Sequence, residues 1–140
     1  MTVTAGYSGK PLAEKLGIKA GVTVIAIDAP RGYRTLLGTL PEGARIVTRR
    51  PAGRTPLDFV HCFATTRRTL VTRFEALEGA LAPAGMFWVS WPKGASRVTT
   101  DLTENVVREI GLANGLVDVK VCAVDATWSG LKFVRRVKDR

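Results

Sequence analysis

The chain has 140 residues, of which 46% are hydrophobic and 24% charged, a length and balance that fit one soluble globular domain. Its 21 lysines and arginines against 12 acids leave a formal net charge of +9, which favours anionic partners such as phosphorylated metabolites or nucleic acid. Cys62 and Cys122 are too few and too distant for a disulfide framework or a Cys-x-x-Cys site, no apolar run approaches the ~18 residues of a membrane span, and the N-terminus lacks a signal-peptide core, so a cytoplasmic location is expected.

Residues 1–10 are rich in Gly, Thr and Ser and are expected to form a flexible arm, leaving 11–140 as a single α/β domain. Pro11 suits the first turn of a short helix, 12–16, that Gly17 stops. The β-branched run 22–27 predicts a central strand buried on both faces, ended by Asp28 and Pro30. A short helix up to Leu37 and a short strand at 44–48 follow. Two prolines and a glycine make 51–56 a loop, and 57–63 is the third strand. Leu70, Phe74, Leu77 and Leu81 share one face of a helix predicted over 67–81. Pro83 and Gly85 end it, and 86–91 is the fourth strand. Asp101 is expected to cap the next helix, with Glu104 as its capping-box partner and Leu102, Val106, Ile110 and Ala113 as its apolar stripe. The runs 117–124 and 131–137 predict a closing hairpin around 125–130. Cys62 and Cys122 both fall in apolar strands and are expected to be reduced and buried.

The arginines are concentrated. Positions 31, 34, 45, 49, 50, 54, 67, 68 and 73 are all arginine, and only Glu42 and Asp58 oppose them in that stretch. They cluster just after predicted strands. In an open parallel sheet the carboxyl ends of the strands share one edge, where ligands bind. An anion-binding edge is therefore expected from Asp28, Arg31, Gly32, Tyr33, Arg49, Arg50, Thr65, Thr66, Arg67, Arg68, Ser90, Trp91, Lys93, Trp128 and Ser129. Arginine forks suit phosphate or carboxylate, the hydroxyls add donors, and Tyr33, Trp91 and Trp128 offer aromatic faces for stacking. Arg67 and Arg68 at a helix start oppose the helix dipole, which favours a functional reason for them.

No complete catalytic motif accompanies this edge. His61 is the single histidine, and its apolar neighbours point to a structural hydrogen bond rather than to catalysis. Asp28 fits a helix cap and a ligand hydroxyl equally well. Ser8-Gly-Lys10 lacks the glycine and the following Ser/Thr of a phosphate loop. No spacing suits a metal.

The order of these elements resembles the S-adenosylmethionine (SAM)-dependent methyltransferase fold in shortened form. The likeness rests on LDFVH at 57–61, the helix after it, LAPAG at 81–85 leading into the next strand, and the closing hairpin. More closely, the segments 7–18, 88–93, 101–104 and 127–133 resemble a family of small bacterial proteins of unknown function with that fold. The resemblance implies an α/β, mainly parallel, Rossmann-like sheet with a C-terminal antiparallel hairpin strand and strand order 2-1-3-4-6-5. It supplies no catalytic residue. Methyltransferases of this fold follow the first strand with an acid and two or three glycines, and end the second strand in an acid that pairs with ribose hydroxyls. Here the first loop has one glycine, Gly32, with Pro30 removing a backbone donor, and the second strand ends in Arg49-Arg50. The reading that follows is a non-catalytic binding protein for an anionic nucleotide-type metabolite or nucleic acid, with no cofactor and no SAM binding. The alternatives are a reduced SAM-dependent methyltransferase and an interaction module for an acidic partner.

Overall fold

The structure is a computed structural model and describes residues 10–140; the expected arm, apart from Lys10, lies outside the described residues. Six strands form one sheet: β1 (Thr23–Ile27), β2 (Arg45–Val47), β3 (Leu57–Phe63), β4 (Leu81–Pro92), β5 (Leu116–Ala123) and β6 (Trp128–Arg135). Their order is β2-β1-β3-β4-β6-β5. The first four are parallel, and β6 pairs antiparallel with both β4 and β5. The order and the mixed polarity agree with the expectation.

Among the described residues four α-helices cover the sheet: α1 (Leu12–Leu16), α2 (Tyr33–Leu37), α3 (Arg67–Leu77) and α4 (Glu104–Ala113). The central strands β3 and β4 are buried on both faces, which is why their sequences run apolar without alternation. On one face Val60, Cys62, Phe87, Val89 and Trp91 pack beneath α3 and α4. On the other Phe59, Phe63 and Trp88 meet α1 and α2. Trp88 donates from its indole N–H to the Leu16 carbonyl (2.9 Å), so its burial leaves no orphan donor.

Three expectations change. The third helix ends at Leu77 in a short 3-10 turn, and Leu81 already begins β4. Pro83 is tolerated there because the β3–β4 register shifts between Leu57 and Phe59, so the ladder is interrupted at the proline. The cap of α4 is Thr103, whose hydroxyl accepts from the Val106 N–H (3.2 Å). Asp101 instead reaches across to α3 and accepts from the Arg67 N–H (2.8 Å). The face that α4 buries most deeply carries Val107 and Gly111, with Val106 and Ile110 half-buried beside them.

Cys62 is buried, as expected, but Cys122 is only half-buried, because β5 lies at the sheet edge. Burial pushes the Cys62 thiol up to about 12. In native protein a thiol-exchange reagent is expected to modify Cys122 slowly and to reach Cys62 only on unfolding. Quantitative labelling of both under native conditions would refute this placement.

Candidate functional site at the carboxyl edge of the sheet

Because β1 to β4 are parallel, the segments that follow them emerge at one edge, and Trp128, paired with Pro92, joins them there. Asp28 follows β1 with φ 56°, a left-handed conformation that aspartate tolerates better than most residues. Its carboxylate is half-exposed and accepts from both Nε (3.2 Å) and Nη2 (2.9 Å) of Arg73 on α3. Gly32 turns the loop at φ 83°, and no atom lies within 4 Å of where a Cβ would stand. Backbone here is open to a close-lying ligand.

Tyr33 then enters α2 and turns inward. Its Oη lies 2.7 Å from His61 Nδ1, and His61 Nε2 lies 2.8 Å from Ser90 Oγ. His61 and Ser90 are fully buried and Tyr33 nearly so. The imidazole stacks on Phe63 (4.3 Å), which meets the Trp128 ring edge-on (5.1 Å). Desolvation pushes the His61 pKa from 6.5 down to about 3 and drives the Tyr33 phenol well above its usual range. The imidazole is therefore neutral, donating through one nitrogen and accepting at the other. This chain of three side chains ties the loop after β1 to β3 and β4. Its members are 28 and 29 residues apart in sequence, so spacing alone carries no sign of it.

The expected edge residues divide into two sets. Arg31, Arg49, Arg50 and Arg68 are exposed there, and their side chains have no hydrogen bond or ion pair among the described residues. Lys93, Trp128 and Ser129 are half-buried. The others have structural employment. Tyr33 and Ser90 hold His61, so neither is a free stacking face or surface donor. Trp91 is buried in the opposite core beneath α3 and α4. Thr66 caps α3 by accepting from the Thr69 N–H (3.2 Å), and the Thr65 carbonyl accepts from the Thr100 hydroxyl (2.6 Å). The Asp101 carboxylate accepts from the Arg67 backbone N–H at the start of α3, where it complements the helix dipole, and Arg67 Nε donates to the Asp101 carbonyl (3.4 Å), so Arg67 has a structural contact. Asp28 and Gly32 remain exposed at this edge, and Arg73, paired with Asp28, is an edge residue that the sequence did not single out.

No protein-family model and no curated protein sequence matches the chain. Solved structures do. A SAM-dependent methyltransferase from Aquifex aeolicus superposes with a TM-score of 0.58 at 13% identity, over 86% of this chain and 85% of the other. Magnesium protoporphyrin IX methyltransferase from Synechocystis PCC 6803, solved with bound SAM, gives 0.55 at 12% identity over 89% and 74%. The same enzyme with bound S-adenosylhomocysteine (SAH) gives 0.55 at 13% identity over 89% and 78%. The methyltransferase-like fold is thus established. These neighbours overturn the reading of a non-catalytic, cofactor-free anion binder: the structures most of this chain superposes on are SAM-dependent enzymes, some holding SAM or SAH. Of the readings open in the sequence, the methyltransferase alternative is the one they favour. Among the described residues no helix is long and apolar enough to cross a membrane.

Proposed function

We propose that the chain is a reduced SAM-dependent methyltransferase whose cofactor lies at the carboxyl ends of β1 and β3. The observation that carries this reading is the superposition of 89% of the chain on a methyltransferase solved with bound SAM and with bound SAH. The residues present fit the group on two counts. Asp28 offers a half-exposed carboxylate for an ammonium or a ribose hydroxyl, and the loop at Gly32 leaves its backbone open to close approach. At the end of β2, Arg49 and Arg50 stand in place of an acid, so no acceptor for a ribose hydroxyl is supplied there.

Bound SAM supplies an electrophilic methyl group. The chain binds and orients. The Tyr33–His61–Ser90 chain holds the loop that carries Asp28 and Gly32 against β3 and β4. His61, sealed between two hydroxyls, is no general base, so the methyl acceptor brings its own nucleophile. The free guanidinium groups of Arg31 and Arg68 suit an anionic acceptor, a nucleotide-type metabolite or nucleic acid alike.

Titration calorimetry with SAH tests the reading. Binding is expected, and Asp28→Asn should weaken it about tenfold, the loss of one charged hydrogen bond. The melting temperature should change little, because asparagine tolerates the left-handed backbone and the exposed Asp28–Arg73 pair adds about 0–1 kcal/mol to stability. Absence of heat at millimolar SAH would sink the proposal.

A further inference from the structure

The sheet face opposite α1 and α2 is incompletely covered. The β1-to-β2 crossing carries α2, whose Tyr33 and Leu37 pack on the α1/α2 face. The return from β2 to β3 passes over β1 and, by the right-handed rule for such crossings, belongs on the α3/α4 face. It contains no helix. Residues 48–56 are exposed throughout, with Pro51, Gly53 and Pro56 denying them regular structure. The face of β1 and β2 beneath them is therefore covered by irregular chain rather than by a helix, with Ile25 and Leu57 buried under it. A cavity of about 180 Å³ forms there, with Ile25 and Leu57 as its apolar floor and Arg45 on its wall. It adjoins an open shelf bounded by Val47, Arg49 and Arg50, and Arg45 and Pro51 belong to both. Arg45 is steadied by its Nε donating to Thr23 Oγ1 (3.1 Å), which leaves its terminal nitrogens free for another acceptor. Against these three arginines the lining holds one carboxylate, Asp58.

We propose that this groove is a second ligand site, separate from the cofactor edge, for a compact amphipathic anion: an aromatic or aliphatic body with a single carboxylate, sulfonate or phosphate. The body lies on Ile25, Val47 and Leu57, and the anion meets Arg49 and Arg50 where the groove reaches the end of β2. Apolar floor and excess positive rim select for a molecule that carries both characters.

The test uses the intact protein and two fluorescent probes of one shape, 8-anilinonaphthalene-1-sulfonate and its uncharged parent N-phenyl-1-naphthylamine. The sulfonate should bind saturably, about tenfold tighter than the neutral parent. An Arg49→Ala/Arg50→Ala double substitution should erase that preference, whereas Arg68→Ala, away from the groove, should not. Saturating SAH should leave the sulfonate bound. Equal affinity for both probes, an unchanged double variant, or one-for-one displacement by SAH would each overturn a separate anion-selective groove.

Discussion

Taking the protein from pH 7.5 to 4.5 is expected to remove about 3 kcal/mol of folding stability through His61 alone. In the unfolded chain the imidazole titrates near 6.5, whereas in the fold desolvation holds it at about 3. Between those values the unfolded state binds the extra proton, so stability falls as the pH falls, by about 1.4 kcal/mol per unit at most. Above 6.5 both states are neutral and the contribution vanishes. Desolvation explains why the fold refuses the proton: the imidazole is fully buried, and its two hydroxyl partners bring no negative charge to offset an imidazolium. Denaturant titrations across this range measure the slope, and His61→Gln isolates it. The amide cannot titrate, so the variant should be less stable at pH 7.5 yet lose less on acidification. Its loss at pH 7.5 should be about 1–3 kcal/mol, because one of the two buried hydroxyls of Tyr33 and Ser90 is left without a partner. If wild type and variant lose stability in parallel between pH 6.5 and 4.5, the buried neutral histidine is wrong.

The same histidine marks the boundary of what a sequence discloses. The apolar neighbours of His61 predict a structural hydrogen bond, and the structure supplies two. Their partners lie on other elements, and nothing local distinguishes Tyr33 or Ser90 from surface groups at strand ends. Both were therefore expected as ligand contacts and are instead committed to the interior. The mainly parallel sheet is legible because β1, β3 and β4 are continuous apolar runs separated by helical periodicity, whereas the strand order is what the resemblance to the methyltransferase fold implies. β3 begins and ends where its apolar run does. The start of β4 was hidden by Pro83 and Gly85, turn residues that here occupy an irregular stretch of strand. A Cβ on Gly85 would stand 2.7 Å from the Leu57 carbonyl oxygen, so the glycine records a close approach rather than a turn. Asp101 and Thr103 are both capping residues by type. Only the fold decides that Thr103 caps its own helix and Asp101 one that begins 34 residues earlier. The cofactor expectation failed for another reason. Glycine count measures one way of admitting a ligand to a strand end, whereas fold likeness covers the whole sheet.

Replacing Gly111 by alanine is expected to destabilise the protein by about 3 kcal/mol, although alanine is the better helix former by about 1 kcal/mol. Gly111 lies in the last turn of α4, where the helix presses directly on β6. A Cβ there would overlap three ring atoms of Phe133, Cε1, Cζ and Cδ1. The ring cannot swing aside. It is fully buried and meets Phe74 edge-on at 5.4 Å, and Phe74 stacks on Phe87 at 4.5 Å. The helix must therefore move off the sheet, which opens the core that Val107 and Leu116 share with the aromatic cluster. Gly79→Ala is the matched control. Nothing lies within 4 Å of its added methyl, and its backbone is not left-handed, so stability should hold or rise slightly. Pairing Gly111→Ala with Phe133→Leu should recover part of the loss, because the smaller side chain makes room for the methyl. Denaturant unfolding of the three variants decides it: a Gly111→Ala protein as stable as wild type would mean that α4 does not sit against β6 at this position.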